Sequence, residues 1–507
     1  MPLDPQLVQS LSQHENEQVK KGGHLLITGP EPCEDSHRTC QDSFWAGLFL
    51  CTVGCVAFFS IKNSEKVFEL AVFAAEQQSA GDVDPVEQAS AFTMGILAVV
   101  TASFVSFLGA ILFLYFAKCF TTCVVWTALL FFPMILVAAG LVYALIGVAD
   151  DCLMRVLFGL GFMALGSFVS FCVICCMRGW IPFTVLLIQT VIKVMQRHPS
   201  MMFISMLVSS LSVGWSLLCA FCTLGLYAVH GKVMYFATCL TFMWGSMVVT
   251  NACACACNGV FGRWYFGKDG DSPVSRSLKV AFVTSFGSIC LGSFTVAAMR
   301  ALEAVVTSMR KDAQREDNVV TCVILGIVEC VVSMIGDIIE WFNSFAYVQC
   351  AVRGFGFIDS VRATYALCTY ANIGLVYRCS LVGMVVFLGS LPGATMVAFA
   401  STFVTKAVAP AHGAGAVFPI CQVMAFIVGW TATMAALQPL SSGATTFVVC
   451  WAENAQALAR SQPELAQIFA ERAGDRADVQ LSQTALQPLQ DPRNVAVWGK
   501  RKMRKSI

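Results

Sequence analysis

Charge is what this sequence has least of. Only 12% of its 507 residues are Asp, Glu, Lys or Arg, about half the share of an ordinary soluble domain. Histidine is scarce at six residues, and no Asn-x-Ser/Thr sequon occurs, so N-glycosylation is not expected. No phosphate-binding loop, dinucleotide fingerprint or zinc-protease helix motif is found, and no His sits near Cys or carboxylate at a useful spacing. These gaps leave no sign of catalysis, cofactor or nucleic-acid binding. The net charge of +1 offers no field to steer an acidic partner. Residues 1–43 are polar, and apolar character begins only at Phe44, so no cleaved signal peptide is expected.

What is abundant is apolar length. Hydrophobic residues make up 57% of the chain and 39 are Phe, with a mean hydropathy of +0.71. Such a chain cannot keep a wet surface around dry cores. A membrane span needs about 20 apolar residues. The stretches 91–117, 119–149, 156–177, 200–229, 233–262, 280–299, 379–405 and 413–452 contain no Asp, Glu, Lys or Arg. With 44–61, and with 319–341, which carries Glu329, Asp337 and Glu340, the expected count is ten. The runs are unbroken rather than alternating, which excludes a β-barrel. The expected fold is therefore an all-α membrane protein, a bundle of about ten transmembrane helices with interfacial helices. The expected organisation is a tail at 1–43, a membrane domain at 44–452 and a basic tail at 453–507.

Two segments are expected not to cross. In 180–197, Gln189, Lys193, Gln196 and Arg197 recur opposite Val185, Leu186, Ile188 and Ile192, the pattern of an amphipathic helix in the interface. The stretch 342–375 mixes Arg353 and Arg362 with glycines and aromatics and reads as broken or interfacial. Placing both termini in the cytosol puts 23 of the 32 basic residues inside, as the positive-inside rule favours. The loop 62–90, rich in Glu and Asp, then faces out. The loop 300–318 dissents, with Arg300, Arg310, Lys311 and Arg315 balanced by Glu303, Asp312, Glu316 and Asp317. In the C-terminal tail, 463–472 can form a short helix. Trp498–Lys505 reads WGKRKMRK, suited either to anionic membrane lipid or to a solvated tail.

The 24 cysteines fall mostly inside apolar stretches, where Cys behaves as a small hydrophobe. The run Cys253-Ala-Cys255-Ala-Cys257 places only its first and last thiols on one helical face, and no His or carboxylate completes a ligand set, so no metal is expected. Polar groups inside spans carry more information. Glu329, Asp337 and Glu340 fall within an arc of about 80° on one helix, serving either as a proton or cation relay or as an acidic face that meets water. Asn251 sits mid-span and either hydrogen-bonds a neighbouring helix or touches substrate. Trp264 and Tyr265 lie where an interfacial aromatic belt is expected. Trp244 sits deeper, where it either packs or offers its indole face to a quaternary ammonium. Gly287, Ser288, Gly292 and Ser293 form a small-residue set, and Ser288 and Gly292 share a face that permits close helix approach.

Taken in order, several motifs resemble the choline transporter-like family. They are Thr241-Phe242-Met243-Trp244, then Gly259 and Trp264-Tyr265-Phe266, then SFGSICLGSF at 285–294 in a span reaching Arg300. FNSFAYVQCAVRG at 342–354, Phe357-Ile-Asp-Ser360-Val-Arg362 and Thr446-Phe-Val-Val-Cys450-Trp451 follow. The resemblance runs from about Lys193 to Trp451. It implies a multi-pass carrier, most often of the plasma membrane, for choline or a related small organic cation, working without ATP hydrolysis. Its partners would be that substrate and membrane lipids. Trp244 would supply the cation–π face, Tyr347 a second wall and Asn251 a contact to a hydroxyl. Glu329, Asp337 and Glu340 are the candidates for ion coupling. A channel-like pore or a non-transporting scaffold or sensor of lipid metabolism are the rival readings. The chain departs from the family in its short 62–90 loop and in having Thr445 where an acidic residue is usual.

Overall fold

The computed structural model describes residues 17–62 except 27, 36 and 37, residues 104–461 except 180, 231, 316–317, 372–380 and 409–416, and residue 463. Residues 63–90 of the acidic loop, the first part of the 91–117 span, most of the 463–472 helix and Trp498–Lys505 lie outside the described residues.

Among the described residues, all regular structure is helical. A short stretch at 17–26 precedes α1 (Ser43–Lys62), the apolar helix α2 (Phe104–Cys119), α3 (Thr121–Ala149), α4 (Leu153–Met177), α5 (Ile181–Arg197) and α6 (Ser200–His230). Then come α7 (Lys232–Tyr265), α8 (Pro273–Lys279), α9 (Phe286–Arg315), α10 (Val319–Arg353) and α11 (Phe357–Ala371). The last are α12 (Val382–Val408), α13 (Val417–Ala436), α14 (Gln438–Glu453) and α15 (Ala455–Ser461). Among the described residues seven helices, α1, α3, α4, α7, α9, α10 and α12, are long and apolar enough to cross a membrane. The chain is a multi-span membrane protein.

Backbone demands shape these elements, because in lipid every peptide group must be satisfied internally. The hairpin α3–α4 shows how small residues help. An ideal Cβ at Gly159 would lie 2.5 Å from the Ala144 backbone nitrogen, so only glycine allows the two backbones to approach this closely. Large side chains on the outer faces of α4 and α10, such as Phe158, Phe168, Ile324 and Ile327, stay exposed, as a lipid-facing surface requires.

Four expectations are revised. The span expected at 280–299 begins later, because Val280–Thr284 winds into a π-turn before α9 starts at Phe286. Much of the dissenting loop 300–318 is helix. α9 continues to Arg315, and Arg300 and Arg310 are paired with carboxylates rather than displayed on a basic loop. The 342–375 segment is not broken at its start. Residues 342–353 extend α10, which ends only at Gly354 with φ +73°, a left-handed cap that glycine adopts without strain. The 413–452 run divides at Leu437, with Pro439 in the first turn of α14, where the missing N–H costs nothing.

The amphipathic helix α5 forms as expected, but its apolar face meets protein. Leu187, Ile188 and Val191 are wholly buried, and the helix packs on α3 and α14. At the centre of the bundle α7 touches α6, α9, α10 and α14, and it carries most of the candidate site.

Candidate functional site

Three uncharged polar side chains meet inside the bundle. Asn251 on α7 donates through Nδ2 to Ser293 Oγ on α9 at 3.0 Å, and approaches Tyr347 Oη on α10 at 3.4 Å. Ser293 Oγ and Tyr347 Oη are 3.4 Å apart. Tyr347 is 2% exposed and Ser293 is fully buried. Gly292 makes the meeting possible: a Cβ there would lie 2.4 Å from Phe357 Cε2 and 2.6 Å from Tyr347 Oη. Asn343 holds the same turn of α9 by donating to Gly292 O at 3.0 Å. The other small residues face the chain ahead of α1. Ser288 Oγ donates to Asp42 Oδ2 at 2.6 Å, and a Cβ at Gly287 would meet Asp42 O at 2.2 Å.

Two turns along α7, about 10 Å by helical rise, Trp244 sits among aromatic rings. Its centroid is 5.3 Å from that of Phe49 and 5.2 Å from that of Phe294, both near perpendicular. Nε1 donates to Cys290 O at 2.9 Å, which pairs the buried indole N–H. Asn251 and Tyr347 are therefore brought together, while Trp244 belongs to a neighbouring aromatic cluster. Beside that cluster a groove of about 680 Å³ opens between α7 and α9, lined by Phe242, Met243, Met247, Arg300 and Glu303 among others.

Arg300 carries three carboxylates. Its guanidinium lies 3.1 Å from Glu303, 2.6 Å from Asp337 and 2.8 Å from Glu340. Glu329 pairs with Arg310 at 2.7 Å and accepts from Thr307 Oγ1 at 2.9 Å. The acidic arc of α10 thus faces α9, not the polar trio.

The opposite end of the bundle is charged but buried. Arg353, the last residue of α10, donates through Nε to Glu453 Oε1 at 2.8 Å, Nη2 binds the same oxygen, and Gln349 Nε2 donates to Oε2 at 3.1 Å. Arg353 Nη1 also donates to Pro30 O at 2.8 Å. Arg263, near the end of α7 and 2% exposed, donates to Asp35 Oδ1 at 2.7 Å. Burial alone would raise the Asp35 pKa, but the hydrogen bond and charge of Arg263, helped by Arg38, hold it below the usual carboxylate value. Burial pushes the neighbouring Cys33 thiol up to about 11, so it stays protonated and slow to react.

The described cysteines are free thiols. Cys253 faces Ser205 on α6 at 3.7 Å, whereas Cys255 points to Tyr347 O at 3.9 Å, so the run is split between two faces. Among the described residues no group of three or more His, Cys, Asp or Glu side chains is placed to hold a metal. Trp264 and Tyr265 are buried against Phe447 of α14, not set in an exposed belt.

Residues 161–456 match the family model described as plasma-membrane choline transporter. The chain belongs to the choline transporter-like family. It is 24% identical over 322 residues to Protein PNS1 of Yarrowia lipolytica, covering 57% of this chain and 55% of the relative. It is 27% identical over 316 residues to Protein PNS1 of Cryptococcus neoformans, covering 57% of each. A CTL-like protein of Dictyostelium discoideum is 24% identical over 326 residues, covering 61% of this chain and 56% of that one. The matched part thus spans little more than half the length of these relatives.

The family region contains Trp244, Asn251, Ser293, Tyr347, Arg353 and Glu453, so the polar trio and the buried ion pair belong to the part this chain shares with other choline transporter-like proteins. Asp35, Arg38 and Asp42 lie ahead of it. Sequence reading missed these three, along with Arg353–Glu453. The one local hint was charge where charge is rare: Arg353 and Glu453 flank otherwise apolar helices.

Proposed function

We propose that this protein carries choline or a related small organic cation across the membrane, without ATP hydrolysis. The observation that carries the reading is the polar trio of half-buried Asn251 and buried Ser293 and Tyr347, mid-bundle and one step from an aromatic cluster around Trp244. Choline has a hydroxyl and a quaternary ammonium. The trio offers hydrogen bonds for the first, and aromatic faces suit the second. Both lie on facing helices of a bundle, where carriers place their sites. Phe357 and Tyr347 close on Gly292, so Ser293 and the Tyr347 hydroxyl open to substrate only when these helices shift, while Asn251 is half-buried.

The groove beside Trp244 is the approach from one side. Arg300 and Lys311 against Glu303, Asp337 and Glu340 leave that mouth with a small excess of negative charge, an effect that salt screens. In this reading Glu329, Asp337 and Glu340 act on ion coupling through their pairs with Arg310 and Arg300, which break and reform as α9 and α10 move. Both termini are cytosolic and the plasma membrane is the site of action. Tags at either end should react only after permeabilisation. Uptake of radiolabelled choline into proteoliposomes, with ethanolamine as competitor, tests the activity. Saturable uptake that accelerates with choline on the far side supports a carrier. Non-saturating flux would favour a pore, and no flux from folded protein a scaffold.

A further inference from the structure

The stretches ahead of α1 bind the bundle more tightly than a tail would. Cys33 N–H donates to Val352 O at 2.7 Å, and Gln41 N–H donates to Thr284 O at 2.9 Å in the π-turn. Arg38 donates to two carbonyls at the end of α10, Ala351 O at 2.9 Å and Val352 O at 2.8 Å. These are carbonyls left without partners where a helix stops. Asp35 takes Arg263 at the end of α7. Asp42 Oδ2 accepts both Ser288 Oγ of α9 and the Phe357 N–H that opens α11, at 2.6 and 2.8 Å. Pro30 O takes Arg353, whose other contacts reach Glu453 on α14.

The ends of five elements are therefore cross-tied by one short piece of chain. A carrier with alternating access must separate helix ends on each side in turn. At the Arg300 end the charges are partly exposed and a groove is open. At the other end, Arg263, Arg353 and Glu453 are buried under residues 30–35 and 38–42.

We propose that residues 30–35 and 38–42 form a strap that locks the bundle shut on the side of its N-terminal segment, and that the strap must release for substrate to pass there. This rests on the carrier reading above. The strap is the shut state's lock, and the Arg353–Glu453 pair is the joint it covers. Asp42 ties it to Phe357, which closes on Gly292 beside the polar trio, so strap and trio share one moving element.

Cys33 is a built-in reporter on the strap itself, 5% exposed where the strap meets the bundle. The full-length protein in proteoliposomes is treated with N-ethylmaleimide, and labelling of each cysteine is followed by peptide mass spectrometry. Cys255, buried in mid-bundle, is the standard. Asp35→Asn takes the negative charge out of the bond to Arg263 and should speed Cys33 labelling about tenfold, with Cys255 unchanged. Arg38→Lys, which cannot span two carbonyls as a fork, should speed it less. In vesicles that take up choline, saturating choline on both sides should also raise the Cys33 rate. The strap is overturned if Asp35→Asn leaves Cys33 as protected as before in folded protein, or if Cys33 and Cys255 rise together. It is equally overturned if transporting vesicles show no response of Cys33 to choline. Vesicles that take up no choline contradict the carrier reading, while the Asp35→Asn arm still decides the strap.

Discussion

Replacing Gly292 by alanine adds one methyl group at the tightest point of the site. That methyl would stand 2.4 Å from Phe357 Cε2 and 2.6 Å from Tyr347 Oη, where carbon contacts settle at about 3.5–4.0 Å. Something must give by about 1 Å, and both neighbours are ring groups in buried positions. Such overpacking typically costs about 1–3 kcal/mol. Alanine in a helix interior returns about 0.5–1 kcal/mol over glycine. The net expectation is a loss of up to about 2 kcal/mol and displacement of the Tyr347 hydroxyl from Asn251 and Ser293. Gly54 on α1 is the control, because a Cβ there meets nothing within 4 Å, so Gly54→Ala should be neutral or slightly stabilising. Thermal stability in detergent and choline uptake are measured on the same preparations. Gly292→Ala should fall in both, or in uptake alone if the contact slides during transport. A Gly292→Ala protein with wild-type stability and uptake would refute the packing and its link to function.

Trp244→Ala is expected to weaken apparent choline affinity by up to about thirtyfold, from a cation–π contribution of roughly 0.5–2 kcal/mol. Trp244→Phe should weaken it far less in a competition uptake assay, and equal losses would point instead to the Nε1 bond to Cys290. Glu453→Ala leaves Arg353, 8% exposed, without its partner and should cost about 3–5 kcal/mol. Arg353→Met with Glu453→Leu should recover most of it, and a thermal-stability double-mutant cycle with no recovery would contradict the pairing. Because the Asp35 pKa is depressed on folding, its hold on Arg263 is present above the unfolded value of about 3.9 and fades as pH falls through the lower folded value. Hydrogen-exchange protection of the Cys33 amide, corrected for intrinsic rate, should stay level from pH 8 to 5, and loss of protection already at pH 6 would count against it.

Helix content was plain in the sequence because uncharged runs such as 119–149 and 233–262 admit little else in lipid. The break at Leu437 was not, since Pro439 at a helix start leaves an apolar run looking continuous. The π-turn at 280–284 was hidden too, because its Thr284 carbonyl finds a partner, Gln41, more than 200 residues away. Asn251 stood out as a polar group in an apolar span, whereas Tyr347, in a segment expected not to cross, was named only through the family resemblance. That they meet, with Ser293 between them, depends on how α7, α9 and α10 pack, and local pattern carries no record of it. The acidic arc on α10 was legible from helical spacing. Its partners Arg300 and Arg310 were read as loop residues, which concealed the pairing. Asp35, Arg38 and Asp42 looked like an ordinary polar tail because each bonds across more than 200 positions.

The most direct measurement is choline uptake into proteoliposomes by the wild-type chain beside Asn251→Ala and Tyr347→Phe. The expected result is saturable uptake, stimulated by choline on the far side, with both variants folded and their apparent affinity for choline reduced. Wild-type uptake unaffected by either substitution would contradict a site built on the Asn251–Ser293–Tyr347 trio. Absence of saturable uptake by correctly folded wild-type protein would contradict the proposed transport itself.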